Sequence, residues 1–182
     1  MRYNGTPVLE SDRLILRRFT LDDAQAMYEN WASDTEVTRY LSWPAHTNPD
    51  ITRQLISFWI DNYKNENFFT WAIVLKEDNT LVGSISVIEL NDIIESAEIG
   101  YCMGKKWWGK GYMPEALGEV IAYLFDEVGV NRIYAGHDVN NPKSGRVMSK
   151  AGMRFEGIMR QGGKNNTGTC DVAIYSVLQS DV

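Results

Sequence analysis

Residues 97–128 constrain the fold most, because a strand, a glycine-bearing loop and a helix follow one another there without a break. Ala97-Glu98-Ile99-Gly100-Tyr101-Cys102-Met103 alternates large residues (Ala97, Ile99, Tyr101, Met103) with a partly empty face of Glu98, Gly100 and Cys102, the period of a strand. Pro114 then opens a helix that carries Ala116, Leu117, Val120, Ile121, Leu124, Phe125 and Val128 at helical spacing. Between them, Gly104-Lys105-Lys106-Trp107-Trp108-Gly109-Lys110-Gly111 leads into the helix N-terminus, where aligned amides and the helix dipole favour an anion. Glycine at 109 and 111 lets main chain approach a ligand, and three lysines add local positive charge. A plain turn with solvated lysines is the bland alternative, but strand, paired glycines, charge and helix start together point to a bound phosphate.

The rest of the chain supplies a frame for that unit. Leu14 to Phe19 reads as a short strand, with Thr20 as N-cap of a helix running to Ala32. Asn48 and Pro49 open a second helix whose Ile51, Leu55, Phe58, Trp59 and Tyr63 form an apolar stripe facing a core. Phe68–Leu75 and Leu81–Leu90 are two apolar runs joined by a polar segment, which predicts an antiparallel hairpin. Downstream, Arg132–Ala135 reads as a strand, Pro142–Ala151 as a helix ended by Gly152, and Arg154–Met159 and Thr169–Leu178 as two closing strands. No linker or repeat interrupts this order, so residues 1–182 are expected to form one mixed α/β domain.

Several function classes are disfavoured. A net charge of −6 argues against a module that binds nucleic acid by neutralising phosphates. Cys102 and Cys170 are far apart with no histidine at ligand spacing, so neither a zinc site nor a disulfide framework is expected. His46 and His137 lack a paired nucleophile or second ligand and read as structural; no metal is expected. No stretch approaches the ~18 apolar residues of a membrane span, and Met1–Glu10 lacks the apolar core of a signal peptide. The expectation is an unprocessed cytoplasmic protein. The loop nearly satisfies a nucleoside-triphosphate P-loop, yet Gly111 stands where that loop needs a hydroxyl for magnesium.

The pattern on Lys106-Trp107-Trp108-Gly109-Lys110-Gly111 resembles the motif of the GNAT superfamily of acetyl-CoA-dependent N-acetyltransferases, in which Gln or Arg is followed by two residues, Gly, one residue, and Gly or Ala. Lys106 departs from the usual first residue but keeps the positive charge. Trp107 to Tyr112, with Glu115-Ala116, is most similar to the RimJ/RimL branch, the ribosomal-protein N-terminal acetyltransferases. Asn141-Pro142-Lys143-Ser144 and the helix to Gly152-Met153 resemble the second family motif, so the likeness spans nearly the whole chain.

This resemblance implies the GNAT fold, a mixed, mostly antiparallel sheet flanked by helices, with a V-shaped opening between two central strands. It implies acetyl-CoA as co-substrate, with Met103 lending backbone groups to pantetheine and polarising the carbonyl. Lys106, Trp108, Gly109, Lys110, Gly111 and Tyr112 would hold the pyrophosphate, and Asn141, also readable as an N-cap, would contact the cofactor. Glu98 is the implied base for the acceptor amine and Ser144 a donor to the departing sulfur. Many family members use a tyrosine four residues after that serine, where this chain has Met148; Tyr101 and Tyr112 are nearby alternatives. The implied acceptor is a protein N-terminal α-amine, of the ribosomal-protein type; Glu89, Asp92, Glu95 and Glu98 suit a cationic partner, and polyamines and aminoglycosides suit the same acids. Trp43, in the Leu41–Pro44 loop, is a candidate for the acceptor pocket. A non-catalytic acyl-CoA sensor is the competing class, and oligomeric state, a homo-oligomer included, stays open.

Overall fold

The computed structural model describes residues 1–182 and builds them around one eight-stranded sheet. Strand β1 (Leu9–Glu10) pairs with β2 (Leu14–Arg17), which leads to helix α1 (Asp23–Met27) and a π-helical turn over Tyr28–Ala32. Thr20 does not cap α1. The Asp23 carboxylate instead accepts the Thr20 amide at 2.8 Å and both Arg17 amino groups at 2.8 Å, so the acid tightens the turn from inside. A one-turn helix α2 (Thr35–Thr38), too short to show periodicity, is capped by the Asp34 carboxylate.

Helix α3 (Pro49–Asn62) starts where the sequence places it: Asn48 Oδ1 accepts the amides of Asp50 at 3.0 Å and Ile51 at 3.3 Å. Its buried face keeps part of the expected stripe, with Leu55 and Trp59 packed on the core and Tyr63 buried, but is rotated. Thr52 and Ile56 are fully buried, whereas Ile51 and Phe58 are 38% and 58% exposed. The His46 Nδ1 atom lies 2.7 Å from Thr52 Oγ1, and this partner is what allows a hydroxyl rather than a larger apolar residue to face the core.

β3 (Thr70–Leu75) and β4 (Leu81–Asn91) form the expected antiparallel hairpin, and β5 (Ser96–Met103) continues it past a bulge between Val87 and Glu89. A 3₁₀ turn over Lys105–Trp107 precedes α4 (Tyr112–Tyr123), which ends in a π-helical turn over Leu124–Val128. Then come β6 (Arg132–Asp138), α5 (Pro142–Lys150), β7 (Arg154–Asn165) and β8 (Gly168–Leu178). The sheet order is β1-β2-β3-β4-β5-β6-β8-β7, antiparallel throughout except for β5 beside β6.

Each sheet face has its own core. Leu16, Trp71, Ile73, Ile85, Ala97 and Ile99 bury against Leu117, Val120 and Leu124 of the α4 segment on one face. On the other, Ala72, Val74 and Cys102 bury against Met27, Trp31 and Ile56. Leu117 has no exposed surface, so truncating it to alanine costs about 2–5 kcal/mol. On this second face α1 packs against β4, while farther along the sheet Tyr134 and Ile174 are half-buried and Gly136 is exposed. No helix is long and apolar enough to cross a membrane.

Candidate active site

The parallel pair is where the sheet opens. β5 and β6 are in register only at Ser96 with Arg132, Ala97 with Ile133 and Glu98 with Tyr134. Beyond that point β5 stays with β4 as far as Met103, and β6 stays with β8 as far as Asp138, so the two part as the arms of a V. The Gly104 amide donates to Val82 C=O at 2.9 Å; strand alternation therefore turns the backbone groups of Tyr101 and Met103 away from β4 and into the gap. The Met103 carbonyl already accepts the Trp108 indole N–H at 2.7 Å, which leaves its amide, not its carbonyl, as the group facing a ligand.

The loop between β5 and α4 closes one end of the V. Gly111 is the N-cap of α4 with φ 83°, a left-handed conformation that an L side chain strains, and no side chain caps the first turn. Gly109 also has positive φ, and a Cβ there would project into open space. The amides at this helix start thus have room for an anion, which is the fit a pyrophosphate needs. The lysines do not act together as the sequence suggests. Lys105 is ion-paired with Glu36 of α2, Lys106 lies 5.4 Å from the Trp107 ring centre, and Lys143 of α5 sits 4.7 Å over Trp108. The Asn141 side chain makes no capping bond at the start of α5; the position is the N-cap, but the amide group is left free for another partner.

Sequence reasoning missed Arg13. Its Nη1 donates to Lys110 C=O at 3.1 Å, its guanidinium lies 4.6 Å from the Tyr112 ring centre, and its Nε donates to Glu115 Oε2 at 2.7 Å. Burial pushes the Glu115 carboxyl up, but bonds from Ser11 and Arg13 outweigh it and hold the group below the usual range. Arg13 thereby fixes the loop's far end to the turn before β2. Nothing in residues 11–13 signals this, because the partners lie about a hundred residues away.

At the apex, Glu98 faces the α1 and α3 side and Tyr101 the α4 and α5 side. Glu98 is level with Glu89 across the β4–β5 ladder, and the Tyr134 hydroxyl approaches its Oε2 at 3.5 Å. Burial, and secondly the Glu89 charge, push the Glu98 carboxyl above its ordinary pKa, offset in part by Tyr134. The face beside it is fuller than alternation suggests, since a Cβ at Gly100 would overlap the Ile88 side chain. Of the other acids, Asp92 is held by the Tyr3 hydroxyl at 2.6 Å. Trp43 packs against His46 at a tilt, with ring centres 5.2 Å apart, and Asn166, another residue without a sequence signal, donates to both Thr38 and Trp43 carbonyls at 2.8 Å. The tip of the β7–β8 hairpin is thus tied to the Leu41–Pro44 loop.

Across the V, the Tyr101 hydroxyl lies 2.9 Å from Ser144 Oγ and 3.0 Å from Ser144 C=O. Burial pushes the Tyr101 phenol well up, with the Ser144 contact acting in the opposite direction, so it stays protonated at neutral pH. Met148 is buried in the core, which places the position four residues after Ser144 out of contact with solvent. His46 and His137 are each engaged locally, through Thr52 and the Asp138 carbonyl. The arrangement offers an anion cradle, a strand edge, a carboxylate on one side of the apex and a hydroxyl pair on the other.

Residues 13–154 match the family model described as an acetyltransferase (GNAT) domain. The chain is 32% identical over 173 residues to the uncharacterized N-acetyltransferase YoaA of Bacillus subtilis (strain 168), covering 95% of this chain and 97% of that protein. It is 24% identical over 158 residues to the [ribosomal protein uS5]-alanine N-acetyltransferase of Escherichia coli (strain K12), covering 82% and 79%. The microcin C7 self-immunity acetyltransferase MccE, solved in complex with acetyl-CoA and AMP, matches with a TM-score of 0.81 and 26% identity, covering 92% of this chain and 93% of that one. Sheet, V and motif agree with these matches, and the chain belongs to the GNAT family as an acetyl-CoA-dependent N-acetyltransferase.

Proposed function

We propose that the protein acetylates the N-terminal α-amine of a polypeptide, a ribosomal protein among the candidates, in the cytoplasm, with residues 1–182 working as one catalytic unit. The observation that carries this reading is Glu98 at the apex of the V, half-buried, with its carboxyl pushed up by burial and by Glu89. The name of the uS5-alanine relative supports the acceptor class. An α-amine of pKa ~8 is roughly one-tenth neutral at pH 7, whereas a lysine near 10.4 is neutral in about 1 of 2,500 molecules. A single carboxylate of raised pKa is matched to the smaller task.

The thioester supplies an activated acetyl group; the remaining work falls to the chain's own residues. The Gly109, Lys110, Gly111 and Tyr112 backbone, with Lys106, Trp108 and Asn141 alongside, binds the pyrophosphate end, and the Met103 amide orients the carbonyl. As the N–C bond forms and the C–S bond breaks, Glu98 takes the amine proton directly or through water. Ser144 donates a hydrogen bond to the departing sulfur, which leaves as a thiolate (pKa ~8.5) or takes a proton from water, and Tyr101 holds the Ser144 hydroxyl in place where Met148 has no hydroxyl to offer. Incubating the protein with labelled acetyl-CoA and a panel of peptides, polyamines and aminoglycosides tests the reading. A labelled peptide whose rate of formation at pH 7 falls about tenfold on Glu98→Gln, with coenzyme binding retained, supports it; coenzyme binding with no product from any class favours the sensor.

A further inference from the structure

On the second sheet face, next to Glu98, a groove of about 500 Å³ runs from the β4–β5 turn across β6 and β8 to the edge strand β7. Its floor is acidic: Glu89 stands beside Tyr134, and Glu156 accepts both Arg132 amino groups at 2.6 Å and the Ser176 hydroxyl at 2.7 Å. Arg132 is therefore neutralised within the floor, and Glu89 is left as its uncompensated charge, with Glu98 next to it across the β4–β5 ladder. The walls are aliphatic. Ile94, Ile158 and Met159 are 59%, 56% and 52% exposed, and Ile174 completes the strip. Three large apolar side chains left open beside a carboxylate pair are matched to a ligand with a cationic end and an aliphatic flank.

We infer that this groove selects polypeptide acceptors whose third or fourth residue is a large aliphatic side chain, the amine end lying at Glu98. The inference rests on the peptide-amine reading above and adds its specificity. Register gives the spacing: β7 is two strands from β6, about 10 Å from Tyr134, and an extended peptide advances about 3.3 Å per residue. A chain with its amine at the apex therefore lays its third residue over Ile174 of β8 and its fourth over Ile158 and Met159 of β7. A polyhydroxylated aminoglycoside leaves this strip uncovered by apolar surface, and a polyamine has no branched side chain to fill it.

The test compares kcat/KM for pentapeptides that begin with alanine and carry either isoleucine or asparagine at positions 3 and 4. Partial burial of such a side chain gives about a tenfold preference for the isoleucine peptide. The surface variant Ile158→Ser/Met159→Ser, checked for an unchanged melting curve, brings the ratio to within about threefold. Equal acetylation of both peptides by the unaltered protein overturns the groove assignment and leaves the peptide-amine reading standing. Acetylation of polyamines or aminoglycosides with no peptide product overturns both.

Discussion

Replacing Glu98 with glutamine keeps the shape of the apex and removes the carboxylate proposed to take a proton from the amine. If the acceptor is an α-amine of pKa ~8, the variant relies on the neutral fraction, roughly one-tenth at pH 7 and about nine-tenths at pH 9. The deficit in kcat/KM against the unaltered protein is therefore about tenfold at pH 7 and nearly absent at pH 9. For a lysine ε-amine the same arithmetic gives a deficit of about 2,500-fold at pH 7 that is still about 25-fold at pH 9. Initial rates with one peptide across that range, under subsaturating conditions, distinguish the two. A deficit that does not change with pH, or none at pH 7, refutes the assignment of Glu98 as base. Loss of fold does not imitate the effect. Folding raises the Glu98 pKa, so its stabilising contribution is present below the unfolded value and fades as pH rises through the folded one. At pH 7 Glu98→Gln is expected to melt no lower than the unaltered protein.

Other consequences are equally direct. Tyr101→Phe removes the hydroxyl 2.9 Å from Ser144 Oγ, and kcat is expected to fall about 10- to 100-fold with the calorimetric Kd for acetyl-CoA unchanged; an unchanged kcat removes Tyr101 from the account. Gly109→Ala keeps the loop's surroundings clear but forces a side chain into φ 78°, at a cost of about 1–2 kcal/mol, and its Cβ enters the space assigned to the pyrophosphate. Coenzyme affinity should fall at least tenfold, by calorimetry, in excess of any change in melting. Arg132, foremost, and Ser176 hold the Glu156 carboxyl at about 2, so the stability it contributes is present above ~4.3 and lost as pH falls toward 2. Melting temperatures of Glu156→Gln should therefore vary less with pH over that interval than those of the unaltered protein.

Local chemistry made much of this fold legible. The β3–β4 hairpin and the Asn48 cap are written in neighbouring residues, and the loop from Gly104 to Gly111 carries its two positive φ values in its glycines. What was hidden depends on partners distant in sequence. Lys105 counts toward the loop's positive charge until Glu36 is seen to pair with it, and Asn141 reads as a cap until its amide proves unused. Periodicity places Ile51 and Phe58 inside because it cannot see that His46 satisfies Thr52, which turns the buried face of α3 toward Thr52 and Ile56 while Leu55, Trp59 and Tyr63 stay on the core. The same limit hid Arg13, whose contacts with Lys110 and Glu115 close the loop, and the Tyr101–Ser144 pair, which forms only when β5 and α5 are brought to the same side of the V.

The account depends most on main-chain amides at the start of α4 gripping the diphosphate. Amide nitrogen–proton correlation spectra recorded with acetyl-CoA and, separately, with pantetheine read those groups one by one. The amides of Gly109, Lys110, Gly111, Tyr112 and Met113 should shift strongly with acetyl-CoA and remain in place with pantetheine, which lacks the diphosphate. Shifts confined to other parts of the chain while acetyl-CoA saturates the protein would contradict it.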